Sequence, residues 1–319
     1  MISIITPFYN SINYIDKLLN SLENQSDKNF EWIIINDCSK KEETEKLKKK
    51  LKKLNINYFY YENIKNEGAG GSRNIGISHS TGEYITFVDS DDYIHYDFIK
   101  ILKKEIYENQ FDVLFYDYFK VLKNKCSYKK IIKRLNKNIL TKEEALVYMD
   151  GNVCGKLIKN NILESNDLKF PNLKRFEDWV FMSQVILNSK RIKYLNMALY
   201  YYCYNPYSIT QSETRDIYLY SKKGYEILEQ DLKNISKEVA DILYIKQVIY
   251  VAIKEYALEN NKIFKEKMFK INNNKKYSLK YIDSLSLYQK LFLFLYKINC
   301  VFFIKLIYKF FNLKLVLKG

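Results

Sequence analysis

"EYITFVDSDDYI", residues 83–94, is the stretch from which the rest of the chain is read. Tyr84 to Val88 is an apolar run suited to a buried strand. It ends in Asp89, Ser90, Asp91 and Asp92. Carboxylates packed together repel one another, and buried ones are costly unless a cation or hydrogen bonds compensate. Two readings are open at this point: a solvated turn after a strand, or a divalent-cation site at a strand end.

Working outward, the first third of the chain alternates. Ile2 to Thr6 fits a buried strand, and "SINYIDKLLNSLENQ" (11–25) sets Ile12, Ile15, Leu18, Leu19 and Leu22 at helical spacing. "EWIIIND" (31–37) reads as a strand, 40–54 as a Lys/Glu-rich helix, and "INYFYYE" (56–62) as a strand. A helix start at 71–80, a helix at 97–109 and a strand "FDVLFYD" (111–117) follow. This alternation implies an α/β fold with a mostly parallel sheet flanked by helices. Beyond residue 120 the pattern loosens, 141–205 mix short elements, and from about 213 the chain reads as helix after helix. The expected division is 1–205, with halves meeting near 118, and a helical region 206–319.

The chain has 319 residues, 47% of them hydrophobic, and a net charge of +15 carried almost wholly by Lys. It is long enough for about two domains. Five scattered cysteines and two histidines argue against a structural zinc site and fit free thiols in a reducing compartment. No basic leader precedes the first apolar run, and no apolar stretch reaches the length of a spanning helix, so a cytoplasmic location is expected. Lys-rich surfaces attract anions. The basic run near 46–53 is read as a solvated helix face and not as a nucleic-acid patch.

Four polar clusters follow the first four strands: Pro7-Phe8-Tyr9-Asn10, Asn36-Asp37-Cys38-Ser39, "NEGAGGSRN" (66–74) and Asp89 to Asp92. Each alone reads equally as a capping turn. In an open parallel sheet, however, these ends share one edge, where ligands bind. "GAGGSRN" is not a dinucleotide fingerprint, because Arg73 stands where the last Gly would be. Together the clusters suit a nucleotide plus a metal.

"SIITPFYN", "WIIINDCS", "NEGAGGSRNIGISHSTGEYITFVDSDDY" and "FEDWVF" resemble, in order, the motifs of family 2 glycosyltransferases with the GT-A fold, of the bacterial surface-polysaccharide type. The resemblance covers about residues 1–205. It implies that Pro7, Phe8, Tyr9 and Asn10 line the nucleotide pocket and that Asp37 accepts a hydrogen bond from a uracil ring. It puts Arg73 near the donor sugar and phosphates and Asp89, with Ser90, near the ribose and sugar. Asp91, assisted by Asp89, is the metal-ligating acid of a D-x-D motif, and Asp92 supports the site or bonds the sugar. Ser72 replaces the family's usual Ala, and the Gly70-Gly71 run is unusual.

The implied cation is Mn²⁺ or Mg²⁺, bridging carboxylates to the donor diphosphate. The resemblance makes Asp178 the general base, with Glu177 second; capping of a helix N-terminus is the bland alternative for both. Lys156 in "CGKLIK" is placed at phosphate or acceptor, with a surface Lys as the alternative. Trp179 is read as core, and His95 as an outside candidate for an extra metal ligand. The implied activity is inverting transfer from a nucleotide sugar (UDP-Gal, UDP-Glc or a UDP-N-acetylhexosamine) to a surface glycan or lipid-linked acceptor.

Residues 285–319 contain Lys but no acid, and Lys290, Lys297, Lys305 and Lys309 share one helical face. That pattern suits a helix lying on an anionic membrane surface, here the inner face of the cytoplasmic membrane. A helix packed on the protein, or a homodimer contact, is the competing reading. Two further functions compete with this reading. A D-x-D phosphotransfer enzyme needs a nucleophilic Asp after the first strand, where Pro7 to Asn10 supply none. A non-catalytic basic membrane- or nucleic-acid-binding protein leaves the acid clusters unexplained.

Overall fold

The structure, a computed structural model, describes residues 1–122, 125–132, 135, 137–206, 216–256, 261–272, 277–278, 280–298 and 303–304. It divides into two compact units, Met1–Ser212 and Glu213–Gly319.

The first unit runs β1 (Ile2–Phe8), α1 (Asp16–Glu23), β2 (Phe30–Asn36), α2 (Lys41–Leu51), β3 (Tyr58–Glu62), α3 (Gly68–Ser78), β4 (Tyr84–Phe87) and β5 (Tyr93–Ile94). It continues with α4 (Phe98–Glu108), β6 (Val113–Leu122), β7 (Lys125–Lys129), β8 (Ile139–Leu140), α5 (Lys142–Tyr148), β9 (Lys156–Lys159), α6 (Asn160–Ser165), α7 (Glu177–Asn188) and β10 (Ile192–Cys203). The main sheet has the order β3-β2-β1-β4-β9-β6-β10-β5. The β3-β2-β1-β4 pairs and the β6-β10 pair are parallel. β9 is antiparallel to both β4 and β6. The carboxyl ends of β1, β2, β3, β4, β6 and β10 therefore lie on one edge, joined by the amino end of β9. Every residue of β2 and β4 is buried, as strands covered on both faces require.

Two local features position that edge. α3 begins at Gly68, earlier than the glycine-rich sequence suggests, because the Asp37 carboxylate at the end of β2 accepts the Glu67 and Gly68 N–H groups at 2.8 and 2.9 Å. A carboxylate from another strand thus satisfies the positive end of the helix. Gly76 lets α3 lie directly on β1: a Cβ there would stand 2.4 Å from Ile5 Cγ2.

The second unit is helical: α8 (Ile217–Ile235), α9 (Lys237–Tyr244), a π-helical turn Ile245–Ile249, α10 (Tyr250–Tyr256), α11 (Asn261–Asn272) and, after a 3₁₀ turn, α12 (Leu287–Lys297). α12 buries Phe292, Leu293 and Leu295, while Leu287, Leu291, Phe294 and Ile298 stay exposed. Lys305 and Lys309 of the expected basic face lie outside the described residues, as does the Lys297 side chain. Among the described residues no helix is long and apolar enough to cross a membrane.

Candidate active site

The strand-end edge gathers acids around one arginine. The Arg73 guanidinium, 4% exposed, donates from Nη1 to Asp178 Oδ1 at 2.6 Å and from Nη2 to Asp89 Oδ1 at 2.8 Å. Glu177 Oε1 stands 3.9 Å from the same Nη1. The guanidinium also lies over the Phe170 ring, 5.5 Å from its centroid. Burial opposes the charge on Arg73, but Asp178 and Asp89 more than offset it and hold its pKa above the ordinary range. Arg73 on α3 therefore ties the D-x-D turn after β4 to the Glu177-Asp178 pair opening α7.

Those two acids differ in their surroundings. Asp178 Oδ2 also accepts the Val153 N–H at 3.3 Å, so its oxygens are committed elsewhere and do not cap α7. Burial raises its pKa and Arg73 opposes the rise. Glu177 is pushed up to about 7, first by burial and then by Asp178. Close packing adds to this, since a Cβ at Gly70 would meet Glu177 Cγ at 3.2 Å. Phe176, just before the pair, has φ of 68°, a left-handed conformation costly for a bulky residue and common where function demands a fixed geometry.

On the other side of Arg73, Asp91 Oδ2 accepts the Asn205 Nδ2–H at 2.9 Å. Burial and the neighbouring Asp89 raise its pKa. A carboxylate raised by desolvation and by a like charge lacks a counter-cation. That is the environment a hard divalent ion relieves, with one or two carboxylates and phosphate oxygens as ligands. Asp91 and Asp89 would hold such an ion. Among the described residues no group of three or more His, Cys, Asp or Glu side chains forms a protein-only metal cage. His95 Nδ1 instead accepts the Asp97 N–H at 3.1 Å within its own turn.

Several expected site residues are placed below the surface. Asp92 is 1% exposed and accepts the Tyr200 hydroxyl at 2.5 Å and the Cys203 N–H at 2.7 Å. Both contacts brace the turn from within. Ser90 is also buried. Phe8 is fully buried, because alternation along β1 turns it into the core; the expectation that it lines a pocket is corrected, and Tyr9 is the exposed aromatic there. Lys156 is corrected likewise. Its Nζ is buried and donates to Asp150 Oδ1 and Asn152 Oδ1, both at 2.9 Å, to the Cys154 carbonyl at 3.0 Å and to the Asn152 carbonyl. It braces the loop whose Val153 N–H reaches Asp178. Trp179 is core. Pro7 is half-buried at the edge, and Asn10 links its loop to the next through Lys40 N–H at 3.0 Å. Asp37, 2% exposed, spends its oxygens on Asn63, Glu67 and Gly68.

Tyr200 was not singled out from the sequence. Its hydroxyl donates to Asp92 and accepts the Asp89 N–H at 3.2 Å, so β10 holds the turn. The aromatic run "ALYYYC" (198–203) was visible, but not its register against β6. Other buried acids are saturated. Glu31, at the opposite sheet edge, accepts from Ser3, Thr81 and Gly82, and Asp117 from Tyr128, Tyr194 and Ile131 N–H. By contrast, the acids around Arg73 are partly exposed and three have raised pKa values.

A sheet of this order with acids and one arginine at its carboxyl edge defines a GT-A fold. The model of Glycosyl transferase family 2 matches residues 3–165, and the chain belongs to that family. The Staphylococcus aureus (strain MW2) poly(ribitol-phosphate) beta-N-acetylglucosaminyltransferase TarS is 32% identical over 203 residues, 63% of this chain and 35% of TarS. Glycosyltransferase GlyA of Streptococcus pneumoniae serotype 4 is 32% identical over 213 residues, 63% of this chain and 30% of GlyA. The chain thus spans about a third of the length of these relatives. The crystal structure of S. aureus TarS 1-349 in complex with UDP-GlcNAc superposes with a TM-score of 0.70 at 23% identity, covering 98% of this chain and 92% of that one, which shows a shared fold.

Proposed function

We propose that the chain is a metal-dependent, inverting glycosyltransferase. It moves a hexose or N-acetylhexosamine from a UDP-sugar to a hydroxyl of a bacterial surface glycan or lipid-linked acceptor. The observation that carries this reading is the Arg73 bridge, which joins the D-x-D turn to the Glu177-Asp178 pair. Family membership and the donor named with the TarS structure support a UDP-sugar, and among the candidates UDP-GlcNAc.

In this reading Pro7, Tyr9 and Asn10 flank the nucleotide, with Asp37 behind them holding the loop into α3. A divalent ion bound at Asp91 and Asp89 would neutralise charge on the departing diphosphate. Asp178, oriented by Arg73 and Val153 N–H, takes the proton of the acceptor hydroxyl as its oxygen bonds the anomeric carbon. The anomeric carbon–phosphate oxygen bond breaks, and UDP leaves with the electron pair. One base on the acceptor side and one leaving group opposite give a single displacement with inversion. Glu177, with its pKa near neutrality, is the second candidate base. The exposed apolar stripe of α12 supports peripheral attachment to the inner face of the cytoplasmic membrane.

The test is UDP release from UDP-GlcNAc, UDP-Glc and UDP-Gal with Mn²⁺. Wild type should release UDP from one of them, and Asp178→Asn should slow release by about 100-fold or more. Release from none of them, or release untouched by Asp178→Asn, contradicts the reading.

A further inference from the structure

Next to Tyr200, which holds the D-x-D turn, β6 and β10 carry a pair of aromatic rings with no role assigned above. Tyr118 on β6 and Tyr202 on β10 pair edge to face, with ring centroids 6.3 Å apart. Their strands are parallel neighbours in register Tyr200↔Tyr118 and Tyr202↔Lys120. Alternation therefore puts Tyr118 and Tyr202 on the same sheet face as Tyr200, whose hydroxyl reaches Asp92 and the Asp89 N–H. Tyr202 is also bracketed in sequence by the contacts that hold the turn: Tyr200 and Cys203 on Asp92, and Asn205 on Asp91. On the other side of the pair, the charges of Asp150 and Asp117 act on the Tyr118 hydroxyl; Asp150 is the acid gripped by Lys156 in the loop whose Val153 N–H meets Asp178.

Both rings are half-buried, and neither hydroxyl has a hydrogen-bond partner among the described residues. This sets them apart from Tyr84, Tyr116, Tyr128, Tyr194 and Tyr200, whose hydroxyls are all bonded. Burial together with Asp92, Asp91 and Asp89 pushes the Tyr202 hydroxyl up to about 12. An edge-to-face pair leaves a ring face beside two open phenol groups, which suits a molecule that is apolar on its ring face and hydroxylated at its rim. A pyranose ring has that character; a lipid chain would leave the hydroxyls unused, and a phosphate would meet repulsion from the acids.

We propose that Tyr118 and Tyr202 form a stacking subsite for a pyranose ring of the acceptor, holding it between the D-x-D turn and Asp178. The subsite rests on the transferase reading above and adds to it the chemistry of the acceptor: a saccharide presenting a ring face, with its attacking hydroxyl towards Asp178.

The experiment is saturation-transfer NMR on the protein loaded with UDP and Mg²⁺, a diamagnetic ion that leaves the glycoside signals sharp. The probes are the methyl β-glycosides of glucose, galactose and N-acetylglucosamine. Wild type should transfer saturation to the ring protons of at least one glycoside. Tyr118→Leu and Tyr202→Leu should each weaken that glycoside's binding by about tenfold, since a ring contact is worth on the order of 1 kcal/mol. Tyr202→Phe, which keeps the ring, should keep most of it. Melting curves confirm that each variant is folded; if one leucine variant unfolds, the other decides. No transfer to any glycoside in UDP-loaded wild type, or equal transfer in the folded leucine variants, overturns the subsite. Calorimetric UDP binding to wild type reads the transferase assignment separately, so the two failures are distinguishable.

Discussion

At Glu177, burial and the neighbouring Asp178 hold the carboxyl up at about 7, against 4.5 for the unperturbed group. The native state therefore keeps a proton there that the unfolded chain has already released. Between those two values the native state binds more protons, so this group's contribution makes stability fall as pH rises from 4.5 to about 7 and level off above. Glu177→Gln removes that penalty. It should raise the unfolding free energy at pH 8 by roughly 1–3 kcal/mol and change nothing at pH 4, measured by urea denaturation at both values. A stability loss at pH 8 would mean that the ionised Glu177–Arg73 attraction outweighs burial. The presence of acids at 177 and 178 was legible in the sequence. Their unequal protonation was not, because it depends on Arg73, Val153 and Gly70, which lie far from them in the chain.

Among the elements, α3 and the 150–155 loop supply the Arg73 and Val153 contacts that fix Asp178. Gly76→Ala would press a methyl against Ile5 on β1 and should cost about 1–3 kcal/mol. Ile5→Ala removes the obstructing atoms, so the double variant should lose less than the sum of the two single losses, measured by thermal melts. Lys156→Met leaves Asp150 and three oxygen acceptors without their buried cation. It should cost roughly 2–3 kcal/mol in denaturant unfolding, where a surface lysine would cost almost nothing.

Much of this layer could be read from the chain. The runs at β1, β2 and β4 and the polar residues ending them follow from local pattern alone. What escaped depends on distant partners. The first turn of α3 is held by Asp37 from another strand. β9 exists because it fits antiparallel between β4 and β6. Lys156 reads from the chain as a phosphate or acceptor contact, and only the four acceptors around its Nζ show a buried brace.

For the whole molecule, a net charge of +15 combines with an exposed Leu287, Leu291, Phe294 and Ile298 stripe on α12. These four recur at helical spacing on one side, while Phe292, Leu293 and Leu295 are buried, Phe292 edge-on to Tyr250. Sedimentation with phosphatidylglycerol vesicles should show binding that weakens at about 0.5 M salt, where the Debye length is only a few ångströms. The double variant Leu291→Glu and Phe294→Glu should weaken binding by about tenfold or more through lost apolar burial. Unchanged vesicle binding in that variant would assign the stripe another role, such as a contact between two copies of the chain.

The central claim is that the edge around Arg73 and Asp91 is a metal-assisted UDP-sugar site. Calorimetric titration with UDP, with and without Mn²⁺, on wild type and Asp91→Asn tests it most directly. The predicted result is binding of about micromolar strength that requires Mn²⁺ and is lost in Asp91→Asn. UDP binding that is indifferent to both the metal and Asp91, or no UDP binding by the folded wild type, would contradict it.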